Sequence, residues 1–319
     1  MASSDLVKEP EASLSTGSAV NRRGGFAYQA RAWLLAAPFL APALVFYIMF
    51  MLIPMIGTLA LGFTEWTGFN FADIKFVGLG NFAAMRDDPI FWLSLRHNLI
   101  FLFGAISLKT LVALLLALAL DQRIPFSNLF RGVFLMPTVI SLVVVGIVFR
   151  LALSPSLGLV NPFFKAIGLP LLAGDWLGDP DRVLPVIIIV DTWHGFGLYM
   201  FLFISRLVGI SPELHEAAFV DGANLPQDIW HITLPLLKPT IAMVLLLAAI
   251  DSLKIFANVY IMTKGGPSHA SEVLSSWAYF EAFTANKVGY GSAILIVLLV
   301  ITFILAYIQV TRFQPKEEV

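Results

Sequence analysis

The chain has 319 residues, of which 58% are hydrophobic and only 13% are charged, and its formal net charge is −1. Soluble domains carry about 25% charged residues, so this composition excludes an ordinary soluble protein, and the net charge gives no basis for binding nucleic acid. Because the chain contains no cysteine, disulfides, thiol chemistry and cysteine-based metal sites are excluded as well.

The chain begins with a polar segment, residues 1–31, rich in Ser, Glu and Gly, with Arg22, Arg23 and Arg31 near its end. It is too long and too polar for the charged region of a signal peptide. We predict a disordered tail that is retained in the protein. Residues 314–319 form a second, shorter polar tail.

Six apolar runs follow, each of about 20 residues, the length that crosses a bilayer as a helix. Their hydrophobic residues do not alternate, which favours helices over the strands of a barrel. The sequence therefore predicts an all-α integral membrane protein over residues 32–313. The predicted spans are Trp33–Phe63, Asn98–Leu120, Gly132–Leu153, Val183–Val208, Thr240–Met262 and Val288–Thr311.

The first predicted span is longer than a bilayer requires and contains Pro38, Pro42 and Pro54. We expect this helix to be tilted, with its start in the membrane interface. Lys and Arg near the span ends are more numerous on the side that holds the amino terminus. Both termini and the loop 209–238 are therefore predicted to be cytoplasmic.

Several polar side chains fall inside the predicted spans: Lys109, Asp191, His194, Asp251, Lys254 and Asn258. An ionisable group within a span costs at least ~2.5 kcal/mol, so each must have a partner or a function. Asp251 and Lys254 are three residues apart and share a helix face. Two interpretations are open for them and for Lys109: an internal ion pair that fixes helix packing, or the polar lining of a transport path.

The loop 209–238 contains Glu216-Ala217-Ala218, then Gly222, then Ile232-Thr233-Leu234-Pro235. Ser211 and Pro212 predict a helix start, and Gly222 predicts the end of that helix and a chain reversal. The two alanines allow a partner to approach this short helix closely.

A second short helix is predicted from the cap residues Asn224 and Gln227 to about Thr233. We expect Pro235 and Pro239 to interrupt it before the next span.

The spacing E-A-A-x3-G-x9-I-x-L-P resembles the EAA loop of permease subunits of ATP-binding-cassette (ABC) importers. Further segments resemble the carbohydrate-importer permeases, notably those for maltose and glycerol-3-phosphate. The matching segments are Tyr47–Gly68, Phe76–Phe82, Asp88–Trp92, Asn258–Pro267 and Gly289–Ala293, where Gly291 replaces the usual Ala.

This resemblance implies a six-helix type I importer permease core with a cytoplasmic EAA coupling helix. It implies a second permease subunit, two ABC ATPase subunits that bind ATP and Mg²⁺, an outside solute-binding protein and a carbohydrate substrate that crosses a bacterial or archaeal plasma membrane. The chain itself would hold no cofactor, and membrane lipid would surround it. The residues implied to couple to the ATPase are Glu216, Ala217, Ala218, Asp221 and Gly222.

In the resembling permeases, the sugar site lies on the third, fourth and fifth core helices. The residues that we predict to line the path are Ser141, Asp191, His194, Asp251 and Asn258; Thr138, Trp193 and Tyr199 lie on the same helices.

The alternative to a sugar importer is an importer of the same family for a non-sugar solute. A membrane enzyme is a more distant one, since neither paired carboxylates nor a metal-binding set at fixed spacing, such as H-E-x-x-H, is present. The phosphate-binding motif G-x-x-x-x-G-K-[ST] is also missing, so we do not expect this chain to hydrolyse ATP by that route.

Overall fold

The computed structural model describes residues 37–122 and 125–313, so both predicted tails lie outside the described residues. It divides into two compact units, one up to Ile56 and one from Gly57 onward. Within these residues, the regular secondary structure is helical except for one pair of two-residue strands. Five described helices are long and apolar enough to cross a membrane, or six if one bent pair is counted as a span.

The helices are α1 (Ala37–Leu61), α2 (Gly80–Ala84), α3 (Pro89–Asp121), α4 (Ser127–Val139), α5 (Leu142–Ala152), α6 (Val160–Ala166), α7 (Val183–Leu207), α8 (Pro212–Val220), α9 (Leu225–Leu253), α10 (Ala257–Met262), α11 (Leu274–Tyr279) and α12 (Val288–Phe313). The strands β1 (Thr64–Glu65) and β2 (Lys75–Phe76) pair antiparallel. Short 3₁₀ turns at Phe71–Asp73, Met85–Asp87 and Pro170–Leu172 lie between helices.

Two predicted spans are broken helices. The span predicted at Gly132–Leu153 is the pair α4 and α5, which meet at an angle of 95°. The break lies at Ile140 and Ser141, both with extended backbone, so the helical hydrogen bonds stop there. The span predicted at Thr240–Met262 consists of the end of α9 and the short helix α10, interrupted around Lys254.

Two further boundaries differ from the prediction. The helix predicted to start at Asn98 begins at Pro89, because Asp88 caps it and proline suits a first helical turn. The helix predicted to end at Thr233 continues unbroken to Leu253. A π-helical turn at Ile229–Thr233 precedes Pro235, and this wider turn relieves the crowding that a proline ring causes in an α-helix.

The centre of the larger unit is built on α7, which packs along α3 and against α4. Glycine permits these close approaches. A Cβ atom at Gly197 would lie 2.2 Å from the carbonyl oxygen of Phe134 on α4, so no side chain fits there. A Cβ at Gly291 would lie 2.6 Å from the carbonyl oxygen of Ala278 on α11, which gives a local reason for glycine at that position.

Asp88 joins three helices at one end of this unit. Its Oδ1 atom accepts hydrogen bonds from the backbone N–H groups of Ile90 and Phe91 at 2.8 and 3.2 Å. Its Oδ2 atom accepts from Trp277 Nε1 on α11 at 2.9 Å and from the Tyr290 hydroxyl on α12 at 2.6 Å. Burial alone would raise the pKa of Asp88, but these donors stabilise the carboxylate and leave its pKa below the ordinary value.

Candidate coupling loop and substrate path

The EAA residues lie on α8 and on the turn that ends it. Glu216, Ala217 and Asp221 are exposed, and Ala218 is half-buried. The carboxylate of Glu216 makes no hydrogen bond or ion pair with any residue that the structure describes. This helix therefore presents most of its EAA-pattern side chains outward, where a partner could contact them.

The turn after α8 is closed by backbone hydrogen bonds at Gly222. Gly222 has φ +86, a left-handed conformation that glycine adopts without steric cost. The N–H of Gly222 donates to the carbonyl of Phe219 at 3.1 Å, and that of Ala223 donates to the carbonyl of Ala218 at 2.9 Å. This pair of bonds is a Schellman motif, which fixes the direction in which the chain leaves the helix.

The start of α9 is capped as the sequence predicts. Asn224 Oδ1 accepts from the Gln227 N–H at 3.0 Å, and Gln227 Oε1 accepts from the Asn224 N–H at 2.8 Å. Such a reciprocal capping box satisfies two backbone donors at the helix start. Ser211, predicted to cap α8, makes no side-chain cap bond, although Pro212 does occupy the first turn.

Lys109 is the centre of a buried charged cluster, which we name the Lys109 cluster (Lys109, Asp191, Asp251 and Asn258). The Lys109 ammonium is 2.7 Å from Asp191 Oδ2 on α7 and 2.9 Å from Asp251 Oδ2 on α9. The Lys109 side chain is fully buried and that of Asp191 nearly so, whereas 59% of the Asp251 side chain is exposed. The cluster ties α3, α7 and α9 together.

The predicted pairing of Asp251 with Lys254 is therefore wrong. The helix α9 ends at Leu253, so the regular three-residue spacing does not continue through Lys254. Lys254 is exposed and, among the described residues, has no ion-pair partner. The Asp251 carboxylate instead binds the lysine 142 residues earlier in the chain.

Asn258 completes this cluster from α10. It is fully buried, and its Nδ2 atom donates to Asp191 Oδ1 at 3.4 Å. Its Oδ1 atom has no hydrogen-bond partner among the described residues. In this conformation Asn258 supports Asp191 and does not reach a surface.

Ser141 and His194 belong to a second group, at the break between α4 and α5. The break leaves the carbonyl of Ile140 without a helical donor, and His194 Nε2 donates to it at 2.9 Å. The hydroxyl of Thr138 donates to the His194 carbonyl at 3.0 Å. Ser141 is exposed at the first turn of α5. His194 follows Asp191 by three residues on α7, so the two groups are adjacent.

The structure thus brings Asp191, Asp251 and Asn258 together and places Ser141 and His194 beside them. Sequence reasoning left the partner of Lys109 open, because residues 82 and 142 positions away give no local signal. Among the described residues, no group of three or more His, Asp or Glu side chains could hold a metal ion.

A family model described as "Binding-protein-dependent transport system inner membrane component" matches residues 109–318. The chain belongs to this family. It is therefore a multi-pass membrane subunit of an ABC importer, and not the subunit that hydrolyses ATP. The predicted resemblance and the type I permease fold are confirmed.

The relatives agree with this assignment. The chain is 36% identical over 282 residues to the probable ABC transporter permease YurN of Bacillus subtilis, covering 88% of this chain and 96% of the relative. It is 32% identical to the trehalose/maltose transport permease MalF of Thermococcus litoralis, covering 86% and 92%. A chain of a bacterial ABC transporter that imports alginate matches with a TM-score of 0.76 and 25% identity, covering 91% of this chain and 99% of that one.

The Lys109 cluster generates a stability prediction. Removing one partner of a buried ion pair strands the others in a low-dielectric environment and costs about 3 kcal/mol or more. We expect Lys109→Gln to lower the thermal unfolding midpoint in detergent strongly, because two carboxylates lose their counter-ion. Lys254→Gln is the matched control and should leave the midpoint almost unchanged. Equal effects of the two substitutions would contradict this assignment of the ion pairs.

Proposed function

We propose that this chain moves a sugar or a related polyol inward by alternating access. Two separate ABC ATPase subunits would supply the energy by binding ATP and Mg²⁺ and would engage α8. A second permease subunit would pair with this chain, and a solute-binding protein would deliver the substrate from outside. The observation that carries the proposal is the exposed EAA helix, held by a Schellman motif and a capping box within a membrane-importer fold.

The sugar class is supported by relatives that are named for trehalose, maltose and alginate. A non-sugar solute is the alternative, and uptake assays with a panel of radiolabelled mono- and disaccharides separate the two. Failure of every sugar in the panel to be transported would favour the alternative.

Asp251 is the path residue that the geometry favours most. An ionised carboxylate cannot face hydrocarbon cheaply, so its exposed side chain must face water or another subunit. A sugar site needs polar groups that bind hydroxyls within a pocket, and an exposed carboxylate offers such acceptors. Asp191, His194, Ser141 and Asn258 would support or extend this lining, with Asn258 reaching substrate only after α10 moves.

The net charge of the Lys109 cluster makes it possible to test whether Asp251 binds substrate without destabilising the protein. Lys109 with two carboxylates carries a net charge of −1, so Asp251→Asn leaves a balanced Lys109–Asp191 pair and should not destabilise the fold. If Asp251 binds substrate, the KM for uptake of the best sugar in the panel should rise about tenfold or more, as expected for a lost charge-assisted hydrogen bond. The amount of copurifying ATPase should be unchanged. An unaltered KM would remove Asp251 from the site.

The coupling role of the EAA loop is tested at Gly222. A Cβ built at Gly222 meets no atom within 4 Å, but a leucine there places a side chain on a left-handed backbone and on the exposed face. We expect Gly222→Leu to lower sugar uptake at least several-fold per ATP hydrolysed, because it disturbs the surface that the ATPase would grip.

Gly168→Leu is the control for Gly222→Leu. Gly168 also has a left-handed backbone, with φ +79, and no atom lies within 4 Å of its built Cβ. The backbone strain is therefore matched, but Gly168 lies between α6 and α7, away from the EAA loop. Equal losses of uptake for the two variants would show that strain alone, and not coupling, explains the result.

We infer that the EAA loop and both termini are cytoplasmic, from the basic residues near the span ends. A membrane-impermeant maleimide can check this, because the chain has no native cysteine. Asp221→Cys and Ser268→Cys both place the thiol at an exposed position. In intact cells we expect labelling of Ser268→Cys alone, and labelling of Asp221→Cys only in inside-out vesicles. The reverse pattern would overturn the orientation.

A further inference from the structure

The coupling helix α8 is held by little apolar packing. Of its nine residues only His215 and Ala218 are half-buried, and the rest are exposed. The larger apolar side chains, Leu214, Phe219 and Val220, are 46%, 51% and 87% exposed. Hydrophobic contact within this chain therefore does not fix the direction of α8 relative to α9.

A side-chain hydrogen bond does connect the two helices. His215 Nδ1 is 2.8 Å from Asp228 Oδ1 and 2.9 Å from Asp228 Oδ2, so the imidazole N–H donates to the carboxylate. Asp228 is only 4% exposed, and the Thr233 hydroxyl lies 3.5 Å from its Oδ2 atom. Among the described residues, no other bond joins a side chain of α8 to a side chain of α9.

The His215–Asp228 bond connects α8 to the helix that also carries Asp251. Asp228 lies in the first turn of α9, and the same continuous helix carries Asp251 near its other end. A force applied to α8 can reach α9 through the turn at Gly222, which is a short backbone connection, or through the His215–Asp228 bond. The backbone bonds of the Schellman motif hold the turn itself, and the His215–Asp228 bond adds a side-chain connection that resists rotation of α8 about that turn.

We propose that His215 is a positioning residue that fixes the coupling helix to α9 through Asp228 and so transmits the movement of the ATPase to the path. This inference rests on the coupling role proposed above. His215 directly precedes the E-A-A-x3-G-x9-I-x-L-P pattern, and Asp228 occupies one of its unspecified positions. The resemblance to the EAA loop therefore does not by itself account for this bond.

The test uses movement at the opposite end of the molecule as its readout. Thr67 is exposed and lines a cavity of about 690 Å³ with Trp66, Phe256 and Tyr279. In this cysteine-free chain, Thr67→Cys provides one site for maleimide. The complex is purified through this chain with its ATPase, and the labelling rate is measured with and without ATP and orthovanadate.

We expect ATP with orthovanadate to change the labelling rate of Thr67→Cys in the parent complex. Adding His215→Ala should reduce this ATP-dependent change in labelling rate about tenfold, because the loss of a hydrogen bond to a charged group shifts an equilibrium by about that factor. The ATPase should still copurify. His215→Asn should restore most of the change, because the Asn amide places an N–H donor near the position of Nδ1. The double variant His215→Ala, Asp228→Ala should be no worse than the single one.

His231→Ala is the matched control. This imidazole also lies in the loop region, but it bonds only the carbonyl of Gln227 on its own helix, at 2.9 Å. Its loss should leave the ATP-dependent change intact. An unaltered response in His215→Ala, or an equal loss in His231→Ala, would overturn the positioning role.

Two other outcomes are also decisive. Loss of the ATPase from both His215→Ala and His215→Asn would make His215 a direct ATPase contact and would likewise overturn the proposal. If the parent complex itself shows no ATP response or no copurifying ATPase, the proposed coupling function fails, which is distinct from failure of the His215 role.

Discussion

The position of Lys109 constrains the rest of the larger unit. A buried ammonium must have counter-ions close by, because the desolvation cost of an unpaired charge exceeds what packing can offset. Its two carboxylate partners come from α7 and α9, so three helices meet at this point. The buried Asp191 alone balances the charge of Lys109, and it holds α7 close to α3. Gly195, one turn after Asp191 on α7, packs tightly against the Lys109 stem, since a Cβ there would lie 3.2 Å from Lys109 Cε.

The broken helices lie around this point. A helix break inside a membrane is tolerated only where other groups satisfy the freed backbone. His194 on α7 does this for Ile140, at the break between α4 and α5. The other break, after Leu253, lies directly beside Asp251 and leads into α10, whose Asn258 binds Asp191. Both interruptions are thus stabilised by the face of α7 that also pairs with Lys109.

How much of this the sequence could predict depends on the range of each interaction. The apolar runs, the Gly222 reversal and the Asn224 cap are local, and each was predicted from residues within a few positions. Asp88 followed by Pro89 was a local cap signal too, and it accounts for the earlier start of α3. The partner of Lys109 and the bond from His194 to Ile140 could not be predicted, because they depend on which helices pack together. The Asp251–Lys254 pairing failed for a different reason, since it assumed a helix that continues through Lys254, whereas the helix ends at Leu253.

The helix α9 connects the two sites that we propose to act in transport. It begins at the capped end of the EAA turn and runs 29 residues to the Lys109 cluster, a length of about 43 Å at 1.5 Å per residue. Energetic coupling between two distant sites requires a structural element whose conformational equilibrium is shifted by both sites. A continuous helix can be such an element, and it joins the two sites directly, without intermediate contacts through other helices. The exposed Asp251 at the far end is held by one ion pair to a lysine on α3 and lies next to a helix break. A displacement that enters α9 near Asp228 would therefore act on the part of the proposed path where the helix is already interrupted, after Leu253.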